Sequence, residues 1–308
     1  TGKTVISGTE GDINGFGITP DGKGVFYLQD VKTDSTTQDL YPDLPLAQGR
    51  VIDDLMYRHW DSWSDAASSH VFVARFDGNK IGEGTDIMAG EPFDSPLSPY
   101  FDIAEISWST DGKKLAYTCK KLTGRAFAES TNSDIYLYDT EAKTTINLTE
   151  GMPWYDKYPA FSPDGSKLVF QSMETPGYEA DKARMFLIDL NTKIMTDLSK
   201  GFDQDAEGFT WSADGKEIYF ISGIHATYQV YACTLSTGEI RQVTTGKYDY
   251  KSVSLAGKLL AGIRNSMSMA PEIFTVEPEN GSQKQLTFIN KNIYDALKFG
   301  AVKERWVK

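Results

Sequence analysis

Carboxylates and aromatic rings are the side chains of this sequence whose chemistry could serve a binding site. The 308 residues contain no G-x-S-x-G motif, and the three histidines, His59, His70 and His225, are far apart and outside any H-E-x-x-H pattern. These features give no sign of an α/β-hydrolase nucleophile or of a zinc-protease site. We therefore predict no catalytic residue in this chain, no metal site and no cofactor.

Three carboxylates stand apart from the turn motifs of the sequence and are candidates for binding a substrate. Glu179 and Asp181 precede a predicted strand, and Glu207 enters the next one. A sheltered carboxylate could pair with the ammonium group of a peptide, whereas two of them could act as acid and base on a glycoside. A solvated surface explains the same residues, so that alternative stays open. The candidate aromatic walls of such a site are Trp60, Trp154 and Tyr178.

The elements that must position these side chains are predicted from a recurring ten-residue pattern. Residues 161–170 read FSPDGSKLVF. Pro163 fixes the φ angle that a tight turn needs, Asp164 tolerates the next position, and Gly165 can adopt the left-handed conformation that leads into an antiparallel partner strand. Related copies read ITPDGK at 18–23, WSTDGK at 108–113, WSADGK at 211–216 and VSLAGK at 253–258.

The spacing of these turns predicts the fold. Asp21, Asp111, Asp164, Asp214 and the equivalent Ala256 are separated by 90, 53, 50 and 42 residues. A period of about 40–50 residues with four strands in each unit is typical of a β-propeller. We predict a single all-β propeller domain of four-stranded antiparallel blades. Its five units are expected at about 14–92, 102–150, 157–200, 206–246 and 249–288.

Each unit then repeats a third strand and a closing dipeptide. The third strands are nearly continuous apolar runs, which predicts burial on both faces of each sheet. The last strand of four units ends in a Leu/Val-Thr/Ser pair, at 148–149, 198–199, 243–244 and 286–287.

The first unit carries a long insertion between its second and third strands. Ile52, Leu55, Met56, His59 and Trp63 follow helical spacing there, which predicts an amphipathic helix. Such a helix would brace the unit or form part of a binding wall.

Both ends of the sequence suggest neighbouring parts of a longer protein. Residues 4–7 have the pattern of a last strand whose own unit is absent. Residues 289–308 are predicted to form a strand that leads toward an α/β-hydrolase domain outside this chain.

Composition limits the class of protein. Aromatic residues make up 12% and hydrophobic residues 40% of the sequence, enough for a packed core. The formal net charge of −12 disfavours nucleic acids and anionic membrane surfaces as partners, and no apolar run approaches the length of a membrane span. Cys119 and Cys233 lie within apolar segments and are predicted to be buried, unpaired thiols.

Longer motifs resemble a known family. Residues 41–63 (YPDLPLAQGRVIDDLMYRHWDSW), 132–139 (NSDIYLYD), 176–190 (PGYEADKARMFLIDL) and 266–290 (SMSMAPEIFTVEPENGSQKQLTFIN) resemble propellers of the prolyl oligopeptidase family. The likeness is greatest to its bacterial dipeptidyl-peptidase-5-like and acylaminoacyl-peptidase-like members. The resemblance implies a seven-bladed propeller that caps an α/β-hydrolase domain carrying Ser, Asp and His. Two blades and that domain would lie outside this sequence, and the paired-Glu motif of some relatives has no counterpart in it.

These observations predict the propeller part of a periplasmic or secreted serine exopeptidase that acts on short peptides. The propeller would limit access to the nucleophile and form one wall of the substrate pocket, with the hydrolase domain as its partner. A homodimer is an open expectation, because a ring that lacks blades exposes sheet edges. The alternatives are a TolB-like periplasmic interaction module without catalysis and, third, a carboxylate-dependent glycosidase.

Overall fold

Five four-stranded sheets make up most of the computed structural model, which describes residues 11–64 and 66–307. Contacts within the chain divide it into two compact units. The first comprises the described residues up to Lys182 together with Leu187–Met195, and the second comprises Ala183–Phe186 together with the described residues from Thr196 onward. The predicted strand at 4–7 lies outside the described residues.

Sheet 1 and the insertion within it contain the first six strands. These are β1 (Gly15–Ile18), β2 (Gly24–Lys32), β3 (Arg58–His59), β4 (Ser62–Trp63), β5 (Ala67–Arg75) and β6 (Thr85–Asp86). Sheet 1 has the order β1-β2-β5-β6 with antiparallel neighbours, and β3 pairs with β4 in a separate hairpin.

The other four sheets follow chain order without interruption. Sheet 2 contains β7 (Ile106–Trp108), β8 (Lys114–Cys119), β9 (Asp134–Asp139) and β10 (Thr144–Asn147). Sheet 3 contains β11 (Tyr155–Phe161), β12 (Lys167–Met173), β13 (Arg184–Asp189) and β14 (Met195–Asp197). Sheet 4 contains β15 (Glu207–Trp211), β16 (Glu217–Ile224), β17 (Thr227–Thr234) and β18 (Glu239–Gln242). Sheet 5 contains β19 (Asp249–Ala256), β20 (Leu259–Ser266), β21 (Met269–Val276) and β22 (Gln283–Gln285).

Helices are few and short among the described residues. They are α1 (Thr37–Leu40), α2 (Gly124–Glu129), α3 (Lys291–Asp295) and a 3₁₀ turn at Ile103–Glu105. None of the helices in the described part of the chain has the length and apolar character needed to cross a bilayer. The predicted all-β fold class is therefore confirmed.

The repeated turn adopts the predicted geometry, with a hydroxyl group as an additional clamp. Gly165 has a φ of +69°, and its N–H donates to the carbonyl of Ser162 at 2.9 Å. The Ser162 hydroxyl donates to Asp164 Oδ1 at 2.6 Å and accepts from the N–H of Lys167 at 2.9 Å. The equivalent hydroxyl and carboxylate pairs are Thr19 with Asp21, Ser109 with Asp111, and Ser212 with Asp214. This bonding explains why Ser or Thr stands two residues before each aspartate.

A prediction about this turn follows from the backbone alone. Gly165→Ala is expected to lower the free energy of unfolding by about 1–2 kcal/mol, because an L side chain at positive φ is strained. An added Cβ would meet no atom within 4 Å, so the cost is conformational. Urea unfolding measures it, with Gly49→Ala as the control, since Gly49 also has open space but no positive φ. Equal stability of the two variants would contradict the turn assignment.

The closing Thr/Ser residues also have a physical role. Their hydroxyl oxygens accept an N–H from the first half or the middle of the third strand, which leaves that N–H satisfied beyond the end of the fourth strand. The pairs are Ile135 with Thr149, Met185 with Ser199, Val230 with Thr244, and Ile273 with Thr287, at 2.8–3.1 Å.

The apolar strands are buried on both faces, as predicted. In β2, Phe26 and Leu28 join a core cluster with Tyr117 of sheet 2, whereas Val25 and Tyr27 belong to a cluster on the other face. In the second unit, a further cluster joins sheets 4 and 5. Cys119 and Cys233 are free and buried, which confirms that prediction.

The predicted helix over residues 52–63 is wrong. The segment forms the hairpin β3–β4, and Trp60 at its tip has a φ of +46°. Ile52 and Leu55, on the supposed apolar face, remain about half exposed, so the described residues do not bury that face. Contacts across the hairpin replace it, since the Arg50 guanidinium lies 4.6 Å from the centroid of the Trp63 ring.

The predicted strand over residues 289–308 is also not formed in the part that is described, which ends at residue 307. The chain there contains α3 and then irregular backbone. Leu297, Phe299 and Val302 have an apolar strand-like pattern, but each is exposed. A strand requires a partner ladder, and no described strand pairs with this segment.

Candidate functional site

The candidate site is a cavity of about 330 Å³ in the first unit. Five separate parts of the chain line it: the β3–β4 hairpin, the connection between sheets 1 and 2, the segment from the end of β8 through α2, the start of β11 at Tyr155, and the loop that follows β12. Convergence of polar and aromatic groups from distant segments is typical of ligand sites. A larger groove of about 710 Å³ is lined only by the insertion itself, between Asp34 and Ala66.

The cavity lies where a hydrogen bond that recurs between an aspartate and the third strand of a sheet is replaced by a different arrangement. The carboxylates of Asp94, Asp205 and Asp249 each accept the backbone N–H at the start of a third strand, from Ser69, Ala183 and Tyr228 respectively, at 2.8–2.9 Å. Asp94 and Asp205 precede the next sheet, and Asp249 is the first residue of the next sheet.

Tyr155, the first residue of β11, occupies the equivalent position at the start of sheet 3. The residue after Asp94 and the residue after Asp205 each donate their N–H to the carbonyl of the strand residue, and Asp156 does the same to Ser133. The aspartate is thus displaced by one residue, and Tyr155 faces the cavity instead. Burial raises the pKa of the Tyr155 hydroxyl above its usual value, so this group is a neutral donor.

An aromatic edge forms one side of the cavity. Trp60, at the hairpin tip, packs edge-to-face against His59 and Tyr100, with ring centroids 4.9 and 5.6 Å apart. Trp60 is nevertheless 66% exposed. An exposed, conformationally fixed indole is suited to contact an apolar ligand group.

Two glutamates, Glu129 and Glu179, line the same cavity. The loop that carries Glu179 is docked on the end of α2, because the Gly177 N–H donates to Thr131 Oγ1 at 3.0 Å. A Cβ on Gly177 would lie 2.8 Å from the carbonyl oxygen of Glu129, and its φ is +73°. The close approach therefore requires glycine, and it brings two carboxylates that are 50 residues apart in sequence into one site.

Lys120 is the cationic group of the cavity. Its Nζ donates to the carbonyls of Phe127 and Ser130 and lies 4.0 Å from the centroid of the Phe127 ring. Burial lowers the pKa of this ammonium to about 8, and the Glu179 charge acts in the opposite direction.

Asp94 contributes a third carboxylate to the wall. Burial raises its pKa, and the hydrogen bond from the Ser69 N–H opposes this shift. Glu129 Oε1 also accepts from Arg125 Nε at 2.7 Å, so the acidity of the cavity toward a positively charged ligand rests mainly on Glu179. Among residues 11–64 and 66–307, no three His, Cys, Asp or Glu side chains are grouped as a metal site.

The structure does not bring all six predicted site residues into this cavity. Trp60 and Glu179 line the cavity together. Asp181 accepts the N–H groups of Thr175 and Lys182 at 2.8 Å, so its carboxylate orders the loop that carries Glu179. Tyr178 lies in that loop and is 55% exposed.

The other two candidates lie outside this cavity. Trp154 is half-buried, and its carbonyl accepts the Ser133 N–H at 3.1 Å. Glu207 is an exposed residue that begins β15, in the second unit. A binding role for any of the six stays a prediction.

Sequence reasoning missed Glu129, Lys120 and Tyr155. The sequence did contain a signal for Tyr155. When the repeats are aligned, the aspartate of the third unit, Asp156, stands one residue later than its counterparts, and Tyr155 takes the aspartate position. Glu129 and Lys120 carry no such signal, because the connection in which they lie has no counterpart in the other repeats. Their place beside Glu179 depends on the docking of the 175–181 loop, which is a tertiary contact.

Comparisons with known proteins agree with this fold. The TolB beta propeller domain matches residues 102–295. The protein named dipeptidyl-peptidase 5 from Porphyromonas gingivalis is 42% identical over 298 residues, which cover 97% of this chain and 43% of that protein. Its counterpart from Porphyromonas endodontalis is 40% identical over 307 residues, covering 44% of that protein. The chain thus spans less than half the length of these curated relatives, and the predicted resemblance to them is confirmed.

Solved structures extend the comparison at the level of fold. The acylaminoacyl peptidase of Pyrococcus horikoshii superposes with a TM-score of 0.65 over 93% of this chain and 40% of that protein, at 16% identity. A putative TolB from Agrobacterium tumefaciens gives a TM-score of 0.55 over 90% of this chain and 81% of that protein, at 15% identity. With its five four-stranded sheets and repeated turns, this chain belongs to the family of TolB β-propeller domains.

Proposed function

We propose that this chain is the propeller part of a periplasmic or secreted serine exopeptidase and that its cavity binds the amino terminus of a short peptide. The nucleophile would belong to a hydrolase domain of the same longer protein, and the propeller would limit access to it. The observation that carries the proposal is the convergence of Glu129 and Glu179 beside the Trp60 edge.

The chemistry of the cavity suits a peptide amine. An α-ammonium group offers three N–H donors and a positive charge, and two carboxylates can accept from it together. The neighbouring aromatic edge of Trp60 and Tyr100 can contact the first side chain of the peptide. The similarity to proteins named dipeptidyl-peptidase 5 supports the same substrate class.

Binding of a dipeptide amide to this chain tests the proposal. We expect alanyl-phenylalanine amide to bind, and Glu179→Gln to weaken it by about 1.5–3 kcal/mol, since a charge-assisted hydrogen bond is lost. N-acetylation of the ligand should cost a similar amount. Titration followed by NMR or calorimetry measures both effects.

A matched control separates this contact from overall charge. Glu83→Gln changes the net charge equally, but Glu83 is an exposed residue of the connection between β5 and β6, outside the cavity. It should leave the affinity unchanged. Equal binding of the free and the acetylated dipeptide amide would contradict the proposal.

A non-catalytic interaction module is the second candidate, favoured by the match of the TolB beta propeller domain to residues 102–295. It predicts no preference for a free amino terminus and no effect of Glu179→Gln on small peptides. The same titration therefore decides between the two.

A further inference from the structure

Lys120 has an unusual place in the cavity, because backbone and ring atoms surround its charge. It directly follows β8, and its ammonium donates to the carbonyls of Phe127 at 2.8 Å and Ser130 at 2.6 Å. The Phe127 ring covers a further side at 4.0 Å. Across the described ranges, no carboxylate lies within 4 Å of this nitrogen.

The two carbonyl groups belong to the end of α2, where helical carbonyls have no partner within the helix. A helix of six residues is marginal in water and needs tertiary contacts to persist. Lys120 supplies such a contact from β8. It thereby holds the segment that carries Glu129.

The Glu179 loop depends on the same segment. Gly177 donates to Thr131 and lies against the Glu129 carbonyl, so the loop is docked on residues that Lys120 holds in place. Loss of the ammonium would therefore disturb both cavity glutamates, although it touches neither carboxylate.

We propose that Lys120 is the positioning residue of this cavity: its ammonium fixes residues 127–131 and, through them, the Glu179 loop. The effect on peptide binding rests on the proposed function, whereas the ordering of these segments does not. Since burial disfavours the ammonium, the arrangement loosens in alkaline solution. The other ionisable groups that face the cavity are His59, Asp94, Tyr100, Glu129, Tyr155 and Glu179.

Hydrogen exchange of the ligand-free chain tests the proposal. The reporters are the Ser130 N–H, bonded to Ala126 O at 3.1 Å, and the Gly177 N–H, and the reference is the turn N–H of Gly165. We expect Lys120→Met to raise exchange at both reporters about tenfold relative to the reference, and Lys120→Arg to keep most of the protection. Unchanged protection in Lys120→Met would overturn the positioning role.

A second measurement keeps the test decisive if Lys120→Met does not fold. Between pH 7 and 9.5, protection of the two reporters relative to Gly165 should fall in the wild-type chain and persist in Lys120→Arg, which retains every other cavity group. Parallel behaviour of the two proteins would refute the proposal. Affinity for alanyl-phenylalanine amide at pH 7 should fall about tenfold in Lys120→Met. If the reporters respond but the wild-type chain binds no dipeptide amide, the proposed function fails and the positioning role stands.

Discussion

Replacing Asp86 with alanine is expected to lower the free energy of unfolding by about 3–5 kcal/mol at pH 5, because it leaves a buried imidazolium without its counter-ion. His70 is completely buried in β5. Its Nδ1 lies 2.8 Å from Asp86 Oδ2, and its Nε2 lies 2.8 Å from the carbonyl oxygen of Glu91. Both partners are acceptors, so the site favours the charged form of the ring, in which both nitrogens carry hydrogens.

The pH dependence gives this prediction its sign. Burial opposes the charge of His70, but the Asp86 hydrogen bond and charge outweigh it, and the pKa is raised above its usual value. The charged ring stabilises the fold fully below the unfolded pKa of about 6.5, and this contribution is lost as pH rises through the folded pKa. In Asp86→Ala burial opposes the charged ring and only the weaker contribution of Glu91 favours it, so that variant becomes less stable toward low pH. The difference between the two proteins should therefore shrink from pH 5 to pH 9.

Urea unfolding at matched pH values measures the difference, and it cancels other titrations that the two proteins share. Asp43→Ala serves as the control, since Asp43 is an exposed aspartate of the same unit and should change stability by less than about 0.5 kcal/mol. A constant difference across the pH range would show that His70 is neutral in the folded chain.

The second large effect concerns Asp156, a carboxyl group with no solvent exposure. Burial raises its pKa to about 7, and the Ser172 hydroxyl, which donates to Oδ1 at 2.5 Å, only partly opposes the shift. A raised pKa means that the contribution of this group is fully present below the unfolded pKa of about 3.9 and is lost as pH rises through about 7.

Asp156→Asn cannot ionise and should not show this loss. Relative to the wild-type chain, the free energy of unfolding of Asp156→Asn is expected to gain about 3 kcal/mol between pH 4.5 and pH 8. Asp164→Asn is the matched control, because the pKa of Asp164 is lowered to about 2 and its titration lies below this window. Parallel stability curves for Asp156→Asn and the wild-type chain would mean that Asp156 is ionised when folded.

Both predictions concern buried residues that lie behind the wall of the cavity. His70 holds Glu91, three residues before the cavity aspartate Asp94, and Asp156 follows Tyr155, which faces the cavity. Buried polar contacts of this kind fix the connections between sheets more firmly than apolar packing does, since a displaced partner leaves a desolvated group unpaired. The buried polar groups His70 and Asp156 therefore position the cavity wall.

The repeat itself was predictable because each turn is a local structure. Pro163, Asp164 and Gly165 have backbone preferences that act within four residues, and the same chemistry recurs at every copy. The strands after these turns were predictable for a related reason, since burial on both faces requires unbroken apolar runs. These local rules determined the all-β class and the four-stranded grouping.

The helix predicted at 52–63 shows where periodicity is insufficient. An apolar face specifies a helix only if a surface covers it, and Ile52 and Leu55 remain exposed to solvent in the described part of the chain. The apolar pattern at 297–302 forms no strand, because a strand needs a hydrogen-bonded neighbour. In both segments the missing partner, rather than the local sequence, decided the outcome.

The candidate site was likewise predictable only in part from the sequence. The sequence by itself determined the repeats, the turns, the buried thiols and the prediction that Glu179 and Trp60 were available for binding. Only the tertiary structure decided that these two share a cavity with Glu129 and Lys120, while Glu207 belongs to another unit. Contacts such as Gly177 on Glu129 join residues about 50 positions apart, and no local preference encodes such a distance.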